Sequence, residues 1–259
     1  LVMIKNIVVV ASGKGGVGKS TISVNLATSL AKKKIKIGLL DADIYGPSIP
    51  KMLGITDKPN VSKNKKILPY DKFGLKSMSI GNMVPQDGSV IWRGAMASNA
   101  IRQLVNDVEW GDLDYLFIDL PPGTGDIQLS LCQSFSISGA VIVSTPQEIS
   151  LLDVRKAINM FKKVNVDIIG MIQNMSYFEN SGKKNYIFGE DGVKKESEKL
   201  NFYFLGEVPI LKEIANSCDV GEPISFVNKK VFQNVFEEIS ENFLNSISKI
   251  KQKTVKIES

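Results

Sequence analysis

The sequence predicts an α/β domain: a mostly parallel, twisted sheet with helices on both faces. Two observations carry this. Apolar β-forming runs alternate with helix-compatible segments along the chain, the pattern of strands joined by helical crossovers. Several runs are apolar throughout, as KIGLLD at 36–41 is, which suits strands covered on both sides. The 259 residues suffice for one large core, and no internal repeat or low-complexity linker divides them. A single domain over 1–259 is therefore expected, with 228–259 as a terminal helix and basic tail.

IKNIVVVAS (4–12) is the first predicted strand and Thr21–Lys33 the first helix. The second strand, 36–41, runs into a Gly/Pro-rich loop, Tyr45–Pro50. Residues 57–80 read as irregular or hairpin-like, with KILPY and GLKSMSIG flanking a turn at Asp71–Lys72. A helix is expected over 94–107, a strand over 113–120, a helix over Ile127–Ser134 and a strand over 139–146. Then come a helix over Leu151–Lys163, a strand over 166–175, a polar loop over 176–192 and a strand over 202–209. Phe232, Phe236, Ile239, Phe243, Ile247 and Ile250 fall at three- and four-residue spacings, one face of a terminal helix. That face either packs on its own domain or lies on a membrane surface, where Lys251, Lys253 and Lys256 would suit anionic lipid.

Composition narrows the function. With 43% apolar and 23% charged residues the chain is globular rather than disordered. No apolar run reaches the length of a membrane span, and no secretory signal is visible. The chain starts at Leu1, so an upstream segment is conceivable. A net charge of +5, with the lysines dispersed, does not point to nucleic acid. Histidine is absent, so acid–base or metal chemistry falls to carboxylates, lysine, water or thiolates. Cys132 and Cys218 make neither a metal motif nor a disulfide framework, which suits a reducing cytoplasm.

Residues 12–21, SGKGGVGKST, lie between the first strand and the first helix. Gly13, Gly18, Lys19 and Ser20 match G-x-x-x-x-G-K-[ST], the phosphate-binding loop, so the fold class becomes a single-domain P-loop fold. The residues expected to cradle a nucleotide are Gly13, Lys14, Gly15, Gly16, Val17, Gly18, Lys19, Ser20 and Thr21. Backbone N–H groups and the helix amino end face the anion, Lys19 reaches the β- and γ-phosphates, and Ser20 ligates Mg²⁺. LLDAD delivers Asp41 and Asp43 to the carboxyl edge of the sheet, where ligands bind in open α/β folds. Asp43 is the candidate for positioning the attacking water, Asp41 for supporting Mg²⁺ or its water shell. FIDLPPGTGD ends a strand in Asp119, the expected Mg²⁺ carboxylate. Gly123 can bring its N–H to a γ-phosphate, making 119–126 a candidate switch. No N-K-x-D occurs, so the base reads as adenine, with Asn174 at its edge and Pro209 lining its pocket.

Lys14 makes the loop G-K-G-G-x-G-K-S-T, which resembles the deviant P-loop ATPases: MinD, ParA, nitrogenase iron protein and the Mrp/ApbC iron–sulfur carriers. DADIYGPSIPKMLG, IWRGAMASNAI, LDYLFIDLPPGTGDIQLSL, STPQEISLLDV, QNMSYF and YIFGEDG resemble, in order, the Mrp/ApbC signatures across most of the chain. The resemblance implies a slow ATPase that forms a homodimer and delivers a [4Fe–4S] cluster to apoprotein clients. It gives Lys14 a catalytic role across the dimer interface beside Lys19 and Asp43. It also implies C-x-x-C shortly after NMSYF. This chain reads NMSYFENSGKKNYIFG there, so the cluster ligands are unknown. A partner's ligands, a one-cysteine site using Cys218, or a lost cluster function all remain open. The alternative class is a MinD/ParA-like positioning or scaffold ATPase.

Overall fold

The computed structural model describes residues 3–83, 94–227 and 230–257, and the backbone alone at 230–233 and 251–257. Of the IWRG signature, Ile91, Trp92 and Arg93 lie outside the described residues, as does the Phe232 side chain.

The main sheet holds strands β1 (Ile7–Ala11), β2 (Ile37–Asp41), β3 (Tyr70–Lys72), β4 (Leu75–Ser79), β5 (Tyr115–Asp119), β6 (Ile137–Ser144), β7 (Ile168–Gln173) and β10 (Phe204–Glu207). Their order is β10-β7-β6-β1-β5-β2-β4-β3, with β3 alone antiparallel, at one edge. Strand β1 is central, between β5 and β6. Chain order reverses about it, the point where open α/β sheets bind ligands.

The helices are α1 (Lys19–Lys32), α2 (Ile49–Met52), α3 (Gly94–Asp107), α4 (Asp126–Ser134), α5 (Glu148–Lys163), α6 (Gly192–Lys199), α7 (Lys212–Val220) and α8 (Lys230–Ile257). Alternation along β1 shows why both sheet faces are dry. Val8 and Val10 pack into a core with α1 and α8, while Val9 and Ala11 pack into a second core with α3, α4 and α5.

Two expectations shift. Asp71 and Lys72 belong to β3, and the turn falls at Phe73–Gly74, both at positive φ (55° and 77°), the geometry a two-residue hairpin needs. The segment read as a loop at 176–192 contains a separate hairpin, β8 (Phe178–Asn180) and β9 (Lys183–Asn185), exposed throughout.

Helix α8 continues through the tail to Ile257. Its apolar face is spent on the domain. Phe236, Ile239, Phe243 and Ile247 are each at most 2% exposed, so these described residues of the face pack on the domain. Phe243 stacks within 5.6 Å of Tyr115 and 5.4 Å of Phe117, and Asn242 Nδ2 donates to the Leu205 carbonyl at 2.9 Å. No described helix is long and apolar enough to cross a membrane.

Because α8 closes one of the two cores, Phe243→Ala should destabilise the chain by about 3–5 kcal/mol. Urea unfolding should show a lower midpoint with an unchanged slope.

Candidate functional site

Beyond Ala11 the chain turns through residues 12–18 into the amino end of α1. Two glycines are required by contact. A Cβ on Gly13 would sit 2.3 Å from the Asp153 carbonyl carbon and 2.5 Å from the Val154 nitrogen, so the loop lies backbone-to-backbone on α5. Gly18 has φ +80°, and a Cβ there would meet Asn174 Nδ2 at 2.2 Å. Asn174 Nδ2 donates to the Val17 carbonyl at 2.8 Å, so its amide hydrogen supports the loop from the end of β7.

Asp119 is fully buried at the end of β5, beside β1. Lys19 Nζ donates to its Oδ2 at 2.7 Å and Ser20 Oγ to the same oxygen at 2.6 Å. Ser23 Oγ donates to Oδ1 at 2.6 Å. Lys19 is itself 6% exposed and lies 3.8 Å from Asp43 Oδ2. One turn of α1 therefore presents a cation and two hydroxyls to one carboxylate.

Asp41, expected to support Mg²⁺ or its water shell, accepts from three donors of the protein. Its Oδ1 accepts from the Asp43 N–H at 3.1 Å. Its Oδ2 accepts from the Ile49 N–H at 3.2 Å and from Ser79 Oγ at 3.0 Å. The carboxylate is wholly buried and organises the loop that carries Asp43. Burial, and then the charge of Asp119 on the neighbouring strand, push its pKa up to about 7. Asp43 accepts the Tyr45 N–H at 3.1 Å and faces the cleft.

The 119–126 segment is tied to the phosphate loop. The Gly123 N–H donates to the Ser12 carbonyl at 3.0 Å, so in this structure it is engaged by protein rather than free for a phosphate. Gln128 Nε2 donates to the carbonyls of Pro121 and Pro122, each at 3.0 Å, fixing the turn.

The cleft itself has a volume of about 210 Å³. Lys14 through Thr21 and Asp43 line it, joined by Ser12, Ser48, Met52 and Pro122. Gly13, Asn174, Asp41 and Asp119 stand behind that lining. Pro209 is buried just past β10, whose end pairs with the end of β7 that leads to Asn174.

Sequence reasoning missed Ser23, although its place one helical turn after Lys19 and Ser20 put it on their face. It also missed Gln128 and Ser79, whose role is to hold backbone and carboxylate rather than to touch a ligand.

The cleft suits a magnesium–polyphosphate. Turned-in backbone, a buried lysine, a serine hydroxyl and an acidic strand end are the donor set that such a group needs. An iron–sulfur cluster fares differently. Cys132 lies in the core on α4, its thiol pushed up to about 12 by burial. Cys218 on α7 is half-buried with Sγ 3.8 Å from Thr21 Oγ1, and burial raises its pKa too. Among the described residues no three His, Cys, Asp or Glu side chains are placed to hold a metal.

A phosphate loop at the central strand's carboxyl end, with its lysine and serine on a buried strand-end aspartate, defines a P-loop nucleoside triphosphatase. A family model described as ParA, the NUBPL iron-transfer P-loop NTPase, matches residues 3–244. Mouse iron–sulfur cluster transfer protein NUBPL is 48% identical over 227 residues, 86% of this chain and 71% of that protein. The iron–sulfur cluster carrier protein of Aquifex aeolicus is 44% identical over 256 residues, 97% of this chain and 68% of that protein. A nucleotide-binding protein of Archaeoglobus fulgidus, solved with ADP, superposes with TM-score 0.75 at 40% identity, covering 84% of this chain and 87% of that one. MinD of Pyrococcus horikoshii, at 20% identity and TM-score 0.68, shares the fold. The chain belongs to the NUBPL iron-transfer family of ParA-type P-loop NTPases, and it is an ATPase.

The Asp41 shift has a pH signature. Its folded pKa of about 7 stands above the ordinary carboxylate value of 3.8, so the folded chain binds a proton that the unfolded chain lacks between those two values. Stability from this group is fullest below the lower value and declines as pH rises towards 7. In magnesium- and nucleotide-free buffer, urea midpoints of the wild type should fall across that window. Asp41→Asn, which cannot titrate, should flatten this part of the slope.

Proposed function

We propose that the chain binds and hydrolyses Mg·ATP, changes its association with a second copy as it does so, and uses that cycle in delivering iron–sulfur clusters to apoproteins. The observation that carries the nucleotide half is the convergence of Lys19, Ser20 and Ser23 on buried Asp119 behind the loop. The delivery half rests on the family.

In this reading the N–H groups of Gly15 to Ser20 and the α1 amino end take the phosphates. Lys19 moves from Asp119 towards the β- and γ-phosphates, and Ser20 and Asp119 would hold Mg²⁺. That ion would supply positive charge to the phosphates. Asp43 orients the attacking water, while Asp41 holds the loop that positions it. Gly123 exchanges its Ser12 partner for a γ-phosphate oxygen, so the 119–126 turn senses the third phosphate. Asn174 keeps its hydrogen bond to Val17 and presents its Oδ1 to the adenine 6-amino group, with Pro209 against the ring. Lys14, at the cleft rim, reaches the nucleotide of the second copy.

The two cysteines and the family suit a reducing compartment, the cytoplasm. Burial of Phe236, Ile239, Phe243 and Ile247 on the domain argues against a membrane form of the scaffold-ATPase alternative, so liposome flotation should be nil with or without ATP.

Lys19→Ala should abolish Mg·ATP binding by calorimetry, with folding checked by circular dichroism. Lys14→Ala should retain binding and lose turnover or nucleotide-dependent association; normal turnover would refute its role across the interface. Asp43→Asn should lower turnover by roughly 10²-fold, the scale of one general-base contribution, with little change in affinity.

A further inference from the structure

We infer that the β8–β9 hairpin keeps the geometry of a two-thiolate clamp without its chemistry, so that these 259 residues hold no iron–sulfur cluster by themselves. The inference rests on reading the chain as an ATPase of the carrier family, and it separates the motor from the cargo site.

The geometry is specific. β8 and β9 pair antiparallel with Asn180 directly opposite Lys183. Ser181 and Gly182 between them have φ of 50° and 76°, a two-residue turn with both central residues left-handed. Opposed residues of an antiparallel pair present side chains on one face with Cβ atoms about 4.5–5.5 Å apart. Positions 180 and 183 therefore combine C-x-x-C spacing with a common face. The hairpin root is also fixed. Lys184 Nζ lies 3.9 Å from the Tyr177 ring centre and 3.3 Å from Glu207 Oε1. Ser176 bonds Glu207 in turn, and the rings of Tyr177 and Tyr186 meet edge-on at 6.0 Å. The tip beyond this root is exposed.

The chemistry at the two positions is wrong for a cluster. Clusters are held by thiolates, typically four. Asn180 supplies a neutral amide and Lys183 a cation, which repels iron. Neither cysteine makes good the loss. Cys132 is 5% exposed inside the core, and Cys218, on α7, stands beside Thr21 of the nucleotide loop. Pairing two copies through Cys218 would assemble two thiolates, half of the usual set. A cluster moved by these residues is thus ligated by a second, cysteine-bearing polypeptide.

The test is anaerobic reconstitution with ferrous iron, sulfide and a thiol reductant. After desalting, iron, acid-labile sulfide and the thiolate-to-iron absorption band are measured. The wild-type chain should retain less than a tenth of the iron held by the Asn180→Cys/Lys183→Cys variant. That variant should gain the band and about two irons per chain, one four-iron cluster per pair. A wild-type chain that holds a cluster, above all one lost in Cys218→Ser, overturns the inference. So does a double variant that stays cluster-free while its circular dichroism and Mg·ATP turnover match the wild type. Turnover on the same preparations reports on the ATPase reading: its loss in the wild type would strike that reading and leave the iron result legible.

Discussion

The site depends on one buried carboxylate. Asp119 has no solvent, so its charge must be met by the protein, and α1 meets it with an ammonium and two hydroxyls from a single helical turn. Removing one partner from such a buried pair typically costs about 3–5 kcal/mol, because the other charge is left uncompensated. The interaction fixes the rotation and depth of α1 against β5. Since Lys19 and Ser20 also close the phosphate loop, the loop's shape follows from that helix position. A polyphosphate seated in that loop would compete with Asp119 for Lys19.

That dependence spreads through one close backbone contact and a series of side-chain hydrogen bonds. Gly13 lies on the backbone of α5, and the same helix carries Arg155, which donates Nε and Nη2 to Glu196 of α6 at 2.6 and 2.7 Å. The amino end of α6 is held by Gln173, whose Oε1 accepts the Val193 N–H at 2.9 Å. Gln173 precedes Asn174, which supports the loop at Val17. The circuit from loop to α5, α6, β7 and back is closed, and the β8–β9 hairpin is inserted between its last two members in sequence. A displacement of the loop has a continuous packed route to the hairpin root, the kind of contiguous network through which coupling is carried.

Legibility in the sequence followed the density of constraint. The strands of the sheet and helices α1, α3, α4, α5 and α8 were readable because each must bury an apolar face, and burial imposes a period. The hairpin at 178–185 and helix α6 were not, since β8 and β9 bury nothing and α6 has Val193 as its one buried apolar residue. In the site, Lys19, Ser20 and Asp119 were legible through spacing and a strand end. Asp41 was legible as a strand-end acid but not in its task, because its three donors come from residues 43, 49 and 79 and only the folded loop brings them together. Asn174 shows the same limit. Its position was readable at the end of β7, while its bond to Val17 spans 157 residues of sequence.

The contrast between loop and hairpin lies in what the fold requires of each. At Gly13 and Gly18 any side chain collides with backbone or with a buried amide, so these two positions of the nucleotide loop admit only glycine unless their neighbours shift. Asn180 and Lys183 are exposed, beyond a root secured by Lys184, Tyr177 and Glu207, so folding places little demand on what stands there. Stability protects the first region and is blind to the second, as surface positions away from special contacts are usually neutral. Only ligand chemistry discriminates among residues at the tip. The phosphate loop is thus built on residues that hold α1 to the sheet, and the hairpin tip is not.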